Sequence, residues 1–391
     1  MTYIVFLLVI LGIAVILTDV LPIFRDWLSR IHIGRFHNEN QWMVAAKAIA
    51  VKWLTHTPKM KVTDQTRFVI LDILKGNYSK ATIQHWQEAA LLFGLSSYLE
   101  FNNNQEVQTK INEYVNKTFD SEGQWVKKPQ HVDAAILAYA VMKINFIKVE
   151  KYQKAFDYIW ELIQEHIGRD GTVGYRKSMM DYRYVDTIGF ICPFLVAYGV
   201  HFKKAECVDL AITQIKEFDL YGMMQSLYIP CHAYHVSNKI PIGLYGWGRG
   251  MAWYVIGLMD AWLELPQSHM HKAYLGERIE RLAESALQTQ QDNGSWTWLM
   301  TRKEVRADSS VTAVMAWFLL NCSKVNSPVQ PNHNLAANKA LSYLRTVTKK
   351  NGEVDFSQGD TKDIGVYSQL FNIMPFTQGF TLRAYFIRNK S

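Results

Sequence analysis

The sequence predicts an all-α protein in which paired helices form an (α/α)6 barrel, a toroid of six helical hairpins. Three observations lead to this prediction. Apolar residues recur at helical spacing along most of the chain, no alternating strand of useful length or βαβ pattern is present, and a glycine turn between a polar and an apolar helix recurs. An open solenoid is the alternative arrangement of the same hairpins.

The composition suits one large folded domain. The chain has 391 residues, of which 49% are hydrophobic and 13% aromatic, so a large core can be buried and long disordered stretches are excluded. No linker rich in Pro, Gly or Ser divides it. We therefore predict a membrane anchor over residues 1–24 and one domain over residues 25–391.

The N-terminus carries the predicted anchor. Tyr3 to Leu17 is a run of fifteen apolar or glycine residues, and Val20 to Phe24 extend it. A cleaved signal peptide is the competing interpretation, but the start has no Lys or Arg and no small-x-small cleavage site follows. We expect an uncleaved single-pass helix.

Basic residues follow this span and none precede it. Arg25, Arg30 and Arg35 come directly after it, so the positive-inside tendency predicts that the large domain lies in the cytoplasm. The net charge of +7 is diffuse, without a basic run or a nucleic-acid motif. It suits an anionic substrate or an anionic membrane surface, and we predict no nucleic-acid partner.

The cysteines indicate neither disulfides nor a metal site. They are scattered, with no CxxC pair and no metal-ligand spacing, so we expect buried or half-buried thiols. They are Cys192, Cys207, Cys231 and Cys322.

The rest of the chain reads as helices with an amphipathic or fully apolar pattern. The predicted segments are 41–54, 81–101, 131–144, 149–167, 185–200, 205–218, 250–265, 276–291, 309–323, 337–349 and 377–389. Eleven or twelve helices, with the apolar ones inside, suit closure into six hairpins.

The repeat orders these helices in pairs. SEGQW precedes HVDAAILAYA, GRDGTVGY precedes YVDTIGFICPFL, and QDNGSWTW precedes SSVTAVMAWFLL, with KNGEVDF and TQGFTLRAYF as a looser copy. The period is roughly fifty residues. Because loops that enter the inner helices converge at one end of a ring, we expect Asp133, Asp186, Arg249 and Ser309 to share one cavity.

Asp133 and Asp186 each stand just ahead of an apolar helix. Both suit helix N-caps, whose side chains accept hydrogen bonds from free backbone N–H groups. Both equally suit a pair of carboxyls in one cleft, where mutual repulsion raises one pKa and leaves an acid near neutral pH.

The segment GLYGWGRGMAWY (243–254) is the strongest local signal. Its glycines let the backbone turn tightly, Trp247 and Trp253 offer flat faces for a sugar ring, and Arg249 offers a planar fork for a carboxylate. A tight helix start with core tryptophans is the alternative. The segment is no dinucleotide fingerprint, because no strand precedes it and the glycine spacing differs.

Two histidines lie in PCHAYH (230–235). They lack the carboxylate spacing of a zinc site, so we predict no metal. His232 is a candidate for substrate contact, and His235 receives no role.

At these residues the sequence resembles the unsaturated glucuronyl and rhamnogalacturonyl hydrolases, glycoside hydrolase families 88 and 105. The resemblance covers roughly residues 40 to 390. The matching pieces are VDAA, YVDTIGFICPFLVAYG, CHAY, GWGRGMAWY, DNGSWTW, ADSSVTAVMAWFLL and MPFTQGFTLRAY. It implies an (α/α)6 barrel that hydrolyses a 4,5-unsaturated uronic acid at the non-reducing end of an oligosaccharide, without metal or nicotinamide.

The resemblance also implies roles for single residues. Asp186 looks like the general acid/base and Asp133 like a second carboxylate that assists water or substrate. Substrate-binding roles are implied for His232, Trp247, Arg249 and Trp253, with Arg249 a candidate partner of the uronate carboxylate and Trp253 a wall of the cleft.

Three features depart from the family pattern: His235 where an acidic residue is common, Met251 where a small or amide residue is usual, and the anchor. A polysaccharide-degrading enzyme is usually exported, which opposes the cytoplasmic prediction. Three hypotheses follow: a hydrolase of unsaturated acidic oligosaccharides, a glycosidase acting on a saturated sugar, or a non-catalytic polysaccharide-binding protein in capsule or exopolysaccharide synthesis. The oligomeric state is not predicted.

Overall fold

The computed structural model describes residues 2–58, 60–62, 69–75, 79–81, 85–325 and 331–388. Within these ranges, twelve helices form two concentric rings of six. The outer helices are α3 (Glu39–Thr55), α6 (Gln105–Thr118), α8 (Gln153–Gln164), α10 (Ala205–Tyr221), α12 (Lys272–Thr289) and α14 (Pro331–Thr346). The inner helices are α5 (His85–Leu99), α7 (Ala134–Met142), α9 (Val185–His201), α11 (Gly248–Glu264), α13 (Ser309–Cys322) and α15 (Pro375–Arg388).

The inner ring is closed. Each inner helix packs against the next along the chain, and α15 packs against α5. At this last junction Gly379 of α15 lies so close to the carbonyl of Ala90 in α5 that no Cβ fits between them. The closure confirms the (α/α)6 toroid and excludes the open solenoid. The four cysteines are free and buried in its core, as expected.

The predicted helices agree with the structure except at their ends, and two helices, α4 (Val69–Leu74) and α6, were not predicted. The segment predicted over 81–101 begins at His85 among the described residues, with 82–84 outside them, and residue 389 of the last segment also lies outside. Helix α6 was missing from the prediction. Its apolar side is narrow, with Val107, Ile111 and Val115 buried in an otherwise polar segment.

The recurring glycine turn is also a structural repeat. Four of its glycines adopt the left-handed backbone that favours glycine. They are Gly123, Gly171, Gly294 and Gly352, with φ of 75°, 74°, 89° and 101°. In three of these turns the residue four before the glycine pairs with the residue two after it, namely Phe119 with Trp125, Ile167 with Val173 and Thr348 with Val354. Each turn leads from an outer helix towards the next inner one.

Some of these turns also join neighbouring hairpins. A Cβ on Gly352 would collide with the carbonyl of Ala45 in α3, so the last hairpin meets the first there. Similar collisions would occur between Gly123 and Lys151, and between Gly294 and Lys339. The turn glycines therefore serve both the local bend and the closure of the outer ring.

The strands are short, antiparallel and lie in loops. They are β1 (Met60–Val62), β2 (Ser79–Ala81), β3 (Tyr182–Tyr184), β4 (Met223–Met224), β5 (Ile229–Pro230), β6 (Ala233–His235), β7 (Pro241–Ile242), β8 (Ser357–Gln358) and β9 (Phe371–Asn372). The pairs are β1–β2, β4–β5 and β8–β9, and β3, β6 and β7 form one sheet in the order β3-β6-β7. We call residues 357–372, which contain β8 and β9, the β8–β9 hairpin.

The N-terminal residues form one helix, Thr2–Arg30, long and apolar enough to cross a membrane. It consists of α1 (Thr2–Val15), a π-helical turn (Ile16–Val20) and α2 (Leu21–Arg30). The helix therefore continues past residue 24, where the predicted anchor ends. Pro22 does not break it, because it directly follows the π-helical turn, where the regular hydrogen-bond ladder is already interrupted and its missing N–H costs little.

The end of α2 is fixed to the barrel by buried charges. Arg30 donates from Nε to Asp355 Oδ2 at 2.8 Å, and its Nη2 donates to the carbonyl of Phe371 at 3.4 Å. Lys349 lies 3.4 Å from both Asp26 and Asp355. The side chains of Asp355 and Lys349 are buried and those of Arg30 and Asp26 are each 27% exposed, so these ion pairs are partly shielded from water. Asp355 lies just before the β8–β9 hairpin and Phe371 lies in its second strand, β9. Helix α2 therefore contacts the base of that hairpin.

Candidate active site

A cavity of about 210 Å³ opens at the end of the ring where α9 and α11 begin. Five residues singled out from the sequence line it, namely Asp186, His232, Trp247, Arg249 and Trp253, together with others that were not, Asp360 among them. Of the four residues expected to share one cavity, Asp186 and Arg249 line it. Asp133 and Ser309 are not among the residues that line this cavity.

Asp186 lies in the first turn of α9, directly after β3. The pairing of Tyr184 with Ala233, and the hydrogen bond from the Val185 N–H to the His232 carbonyl at 3.0 Å, bring it beside His232. Its Oδ2 atom is buried without a hydrogen-bond partner and lies 3.8 Å from His232 Nε2. The carboxyl does not cap the helix, so it is free for another use.

Burial raises the pKa of Asp186 to about 7, with a smaller contribution from Asp360, while its own backbone N–H and Arg249 act in the opposite direction. The cause is the one expected for a carboxyl removed from water, since the charged form loses its hydration. Near neutral pH a large fraction of Asp186 is therefore protonated, as a general acid must be.

His232 is a buried, neutral ring beside this acid. Burial lowers its pKa to about 4, with Asp363 opposing the effect. The Gly365 N–H points at Nδ1 from 3.4 Å, so Nδ1 acts as the acceptor and the neutral ring carries its hydrogen on Nε2, facing Asp186. The ring packs against Trp247 with centroids 4.6 Å apart.

Arg249 lies in the first turn of α11 and is buried. Its Nη2 donates to the carbonyls of Gln358 and Gly359, the latter at 2.7 Å, and its Nη1 lies 2.8 Å from Met374 Sδ. The buried Nε has no hydrogen-bond partner. The guanidinium fork predicted to hold a substrate carboxylate is thus engaged with the β8–β9 hairpin, and Nε remains as its unused donor.

Trp247 and Trp253 serve as both core and cavity wall. Trp247 donates from Nε1 to Gln358 Oε1 at 3.0 Å, which fixes the indole to the β8–β9 hairpin. Trp253 packs on Phe190 with centroids 4.5 Å apart and on Phe376 at 5.0 Å. Both side chains are almost fully buried and line the cavity with their remaining surface.

The β8–β9 hairpin was not singled out from the sequence. Its loop brings four polar residues to the cavity wall: Asp360, Thr361, Lys362 and Asp363. Burial raises the pKa of Asp360, and Arg249 opposes this. A polar insertion, GDTKDIG, between the last glycine turn and the last inner helix is the signal that marks it.

Arg176 is a second residue that the sequence analysis missed. It is exposed, lines the cavity, and its guanidinium lies 5.2 Å from the ring centre of Tyr175. In the sequence, its position between a glycine turn of the repeat and Asp186 could have indicated it. Unlike Arg249, it presents a cation at the surface of the cavity.

Asp133 lies in a neighbouring cavity of about 700 Å³, with His85 and His131. It occupies the N-cap position of α7 but makes no capping hydrogen bond. Burial raises its pKa, and the two histidines oppose this. Asp133 and Asp186 both raise the pKa of Tyr175, after the larger effect of burial, so this ring lies near both carboxyls.

The carboxyl that acts on Asp186 is thus Asp360 rather than the predicted partner Asp133. The remaining candidates lie elsewhere. Ser309 begins α13 with a buried hydroxyl that has no hydrogen-bond partner, and His235 packs edge-on against Tyr182 outside the cavity wall.

Comparisons with known proteins bear on the family and the fold. The sequence model of Glycosyl Hydrolase Family 88 matches residues 49–386. A possible family 105 glycoside hydrolase from Klebsiella pneumoniae is 16% identical, with a TM-score of 0.74 over 91% of this chain and 95% of that one. A family 105 glycoside hydrolase from C. acetobutylicum is 16% identical, with a TM-score of 0.69 over 82% of this chain and 98% of that one.

The unsaturated glucuronyl hydrolase from Bacillus sp. GL1, responsible for the degradation of glycosaminoglycan, is 15% identical. Its TM-score is 0.64 over 88% of this chain and 95% of that one. At this identity the likeness of these structures is one of fold. Among curated proteins, none matches the sequence.

Proposed function

Since the chain belongs to glycosyl hydrolase family 88 and is therefore a glycoside hydrolase, we propose that it removes a 4,5-unsaturated uronic acid from the non-reducing end of an acidic oligosaccharide. Asp186 is the general acid/base of this reaction. His232, Trp247 and Trp253 form the walls that hold the sugar.

The observation that carries the proposal is the state of Asp186. Its Oδ2 is buried without a partner at the cavity wall, and its pKa is about 7. Protonation of an enol ether carbon requires an acid that keeps its proton near the working pH, and a carboxyl with an ordinary pKa is almost fully ionised there.

The proposed reaction consumes one water. The Asp186 carboxyl gives its proton to C4 of the C4=C5 double bond, and water adds to C5 while the new carboxylate takes a proton from it. The hemiketal formed at C5 opens to a ketone, which turns C1 into a hemiacetal of the leaving sugar. That hemiacetal collapses to an aldehyde and releases the shortened oligosaccharide.

The charges around both cavities support an acidic substrate. Arg176 and Lys362 line the cavity that contains Asp186. Lys117, Lys127 and Lys128 line the neighbouring cavity that contains Asp133. An oligosaccharide with uronic acids in successive positions gains from cations along its path. Asp133 is the second carboxylate in this proposal and orients the substrate or the water from that side.

Turnover of unsaturated uronyl oligosaccharides by the full chain in detergent micelles tests the proposal. Loss of the absorbance of the conjugated double bond is the expected result, and an Asp186→Asn variant is expected to be inactive. NMR of the product separates the alternatives, because hydration yields an open keto sugar. A product that keeps its double bond, or turnover of saturated glycans alone, contradicts the proposed reaction.

The N-terminal helix acts as a single-pass anchor in this proposal, and the arginines after it favour a cytoplasmic domain. Protease treatment of intact and of opened cells measures the side. Protection in intact cells is expected, and digestion there reverses the orientation.

A further inference from the structure

The helix Thr2–Arg30 exposes apolar side chains beyond the length needed to cross a membrane. About twenty residues span the hydrocarbon core, which leaves most of α2 outside it. There Ile23, Phe24 and Trp27 are each more than half exposed. The rings of Phe24 and Trp27 stack with centroids 5.8 Å apart. Asp26 and Arg30 of the same helix pair with the barrel, so α2 is held against it beside these exposed side chains.

A second apolar element meets the helix where the span ends. Asp19 accepts hydrogen bonds from the N–H groups of Val69 and Ile70, the first two residues of α4 (Val69–Leu74). Because α4 covers it, Asp19 is only 5% exposed. The protein thus shields the one acidic residue of the span. Exposure of this residue to lipid would be costly.

Helix α4 presents its own apolar side chains to the surroundings. Leu71, Ile73 and Leu74 are exposed, Leu74 by 73%. Since the first residues of α4 contact Asp19, these side chains lie near the level at which the span ends. Six large apolar side chains from two helices are more than a water-exposed surface normally gathers in one place.

We propose that these six residues, Ile23, Phe24, Trp27, Leu71, Ile73 and Leu74, form an interfacial patch that lies in the head-group layer of the bilayer. The proposal rests on the membrane anchor of the proposed function and goes beyond it. The patch is continuous with the span, and an aromatic pair at the end of a span is typical of the interface. The barrel is therefore seated on the bilayer, and its occupant at this patch is lipid.

Site-directed spin labelling in vesicles of phosphatidylcholine and phosphatidylglycerol tests this without any need for catalysis. The native cysteines are buried, so the label reacts at an introduced cysteine of the full chain. Leu74→Cys reports on α4, Gly12→Cys on the middle of the span, and Met270→Cys, which replaces an 83% exposed side chain, on water. The measurement compares relaxation by oxygen, which concentrates in lipid, with relaxation by a soluble nickel complex.

We expect the label at position 12 to favour oxygen, the label at position 270 to favour nickel, and the label at position 74 to show a ratio between these two. Lipid contact at position 12 with a water signature at position 74 overturns the interfacial patch while the anchor stands. A water signature at both positions overturns the anchor itself. A label at position 74 shielded from both reagents shows a protein occupant, either another chain or a second copy, and also refutes the proposal.

Discussion

The Oδ2 atom of Asp186 lies 3.8 Å from the Nε2 atom of His232, and burial has reversed the usual order of their pKa values. The pKa of Asp186 is about 7 and that of His232 is about 4. An exposed pair of these residues would transfer the proton to the histidine. Here the proton stays on the carboxyl, so the pair is a neutral acid beside a neutral ring.

The pH dependence of turnover follows from this order. Asp186 must be protonated to act as an acid, so kcat/KM should stay level in the range between the two pKa values and fall tenfold per pH unit above about 7. Asp360→Asn should move this fall to lower pH, because Asp360 contributes to the raised pKa of Asp186. A pH–rate profile measures both. Activity that rises above pH 8 contradicts the assignment.

Asp133→Asn should behave differently from Asp360→Asn. We expect it to lower kcat, by about 10² to 10⁴-fold if Asp133 takes part in proton transfer. The pH at which activity falls should not change, because Asp133 has no part in the raised pKa of Asp186. The same profile, recorded for both variants side by side, checks this. A shifted fall in Asp133→Asn would mean that the two aspartates are coupled directly.

Asp186→Asn should abolish turnover and stabilise the fold at high pH. Because the folded pKa of Asp186 is raised, the folded state binds more protons than the unfolded state between about pH 4 and 7, and stability falls as pH rises through that window. Thermal unfolding at pH 5 and pH 8 should show a larger gain in Tm for the variant at pH 8. An equal gain in Tm at both pH values would show that the buried carboxyl is not its cause.

Arg176→Ala should raise KM with little effect on kcat. An exposed cation in the cavity wall binds substrate and transition state alike, and a charged hydrogen bond contributes about 1.5–3 kcal/mol, or roughly 10 to 100-fold in KM. Arg302→Ala is the matched control, since Arg302 is exposed and pairs with Glu304 outside the cavity. Equal effects of both variants, or none, would refute the role of Arg176.

Gly352→Ala should destabilise the barrel more than Gly171→Ala. Both glycines have positive φ, which costs an alanine about 1–2 kcal/mol. A Cβ at position 352 would also collide with the carbonyl of Ala45, whereas a Cβ at position 171 meets open space, and overpacking adds about 1–3 kcal/mol. Chemical denaturation of both variants compares the two costs. Equal losses would show that the junction of the last and first hairpins adds nothing.

Much of the fold is local information and was predictable. Turn glycines such as Gly123 and Gly352 mark where one helix ends, and the apolar pattern of the next segment marks it as an inner helix. Contacts distant in sequence were not predictable. Asp19 is tolerated in the long apolar helix because α4 covers it, and no pattern within residues 1–24 reveals that.

The candidate site, like the fold, was predictable only where the information is local. The repeat correctly brought Asp186 and Arg249 to one cavity, because a period indicates which end of the ring a residue occupies. It does not indicate how far apart two residues lie along the rim of the ring. The position of Asp133 in a neighbouring cavity was therefore not predictable from it. Asp360 was missed because the β8–β9 hairpin has no helical periodicity.

The contact of Arg30 with both ends of the β8–β9 hairpin limits where this enzyme can work. One side chain joins α2 to Asp355 and to the carbonyl of Phe371, so the helix and one wall of the cavity move together. In a membrane, the cavity would then have a fixed height above the lipid and no freedom to swing outward. Its substrates would be glycan ends that reach this height, and encounter would become a search in two dimensions along the membrane surface.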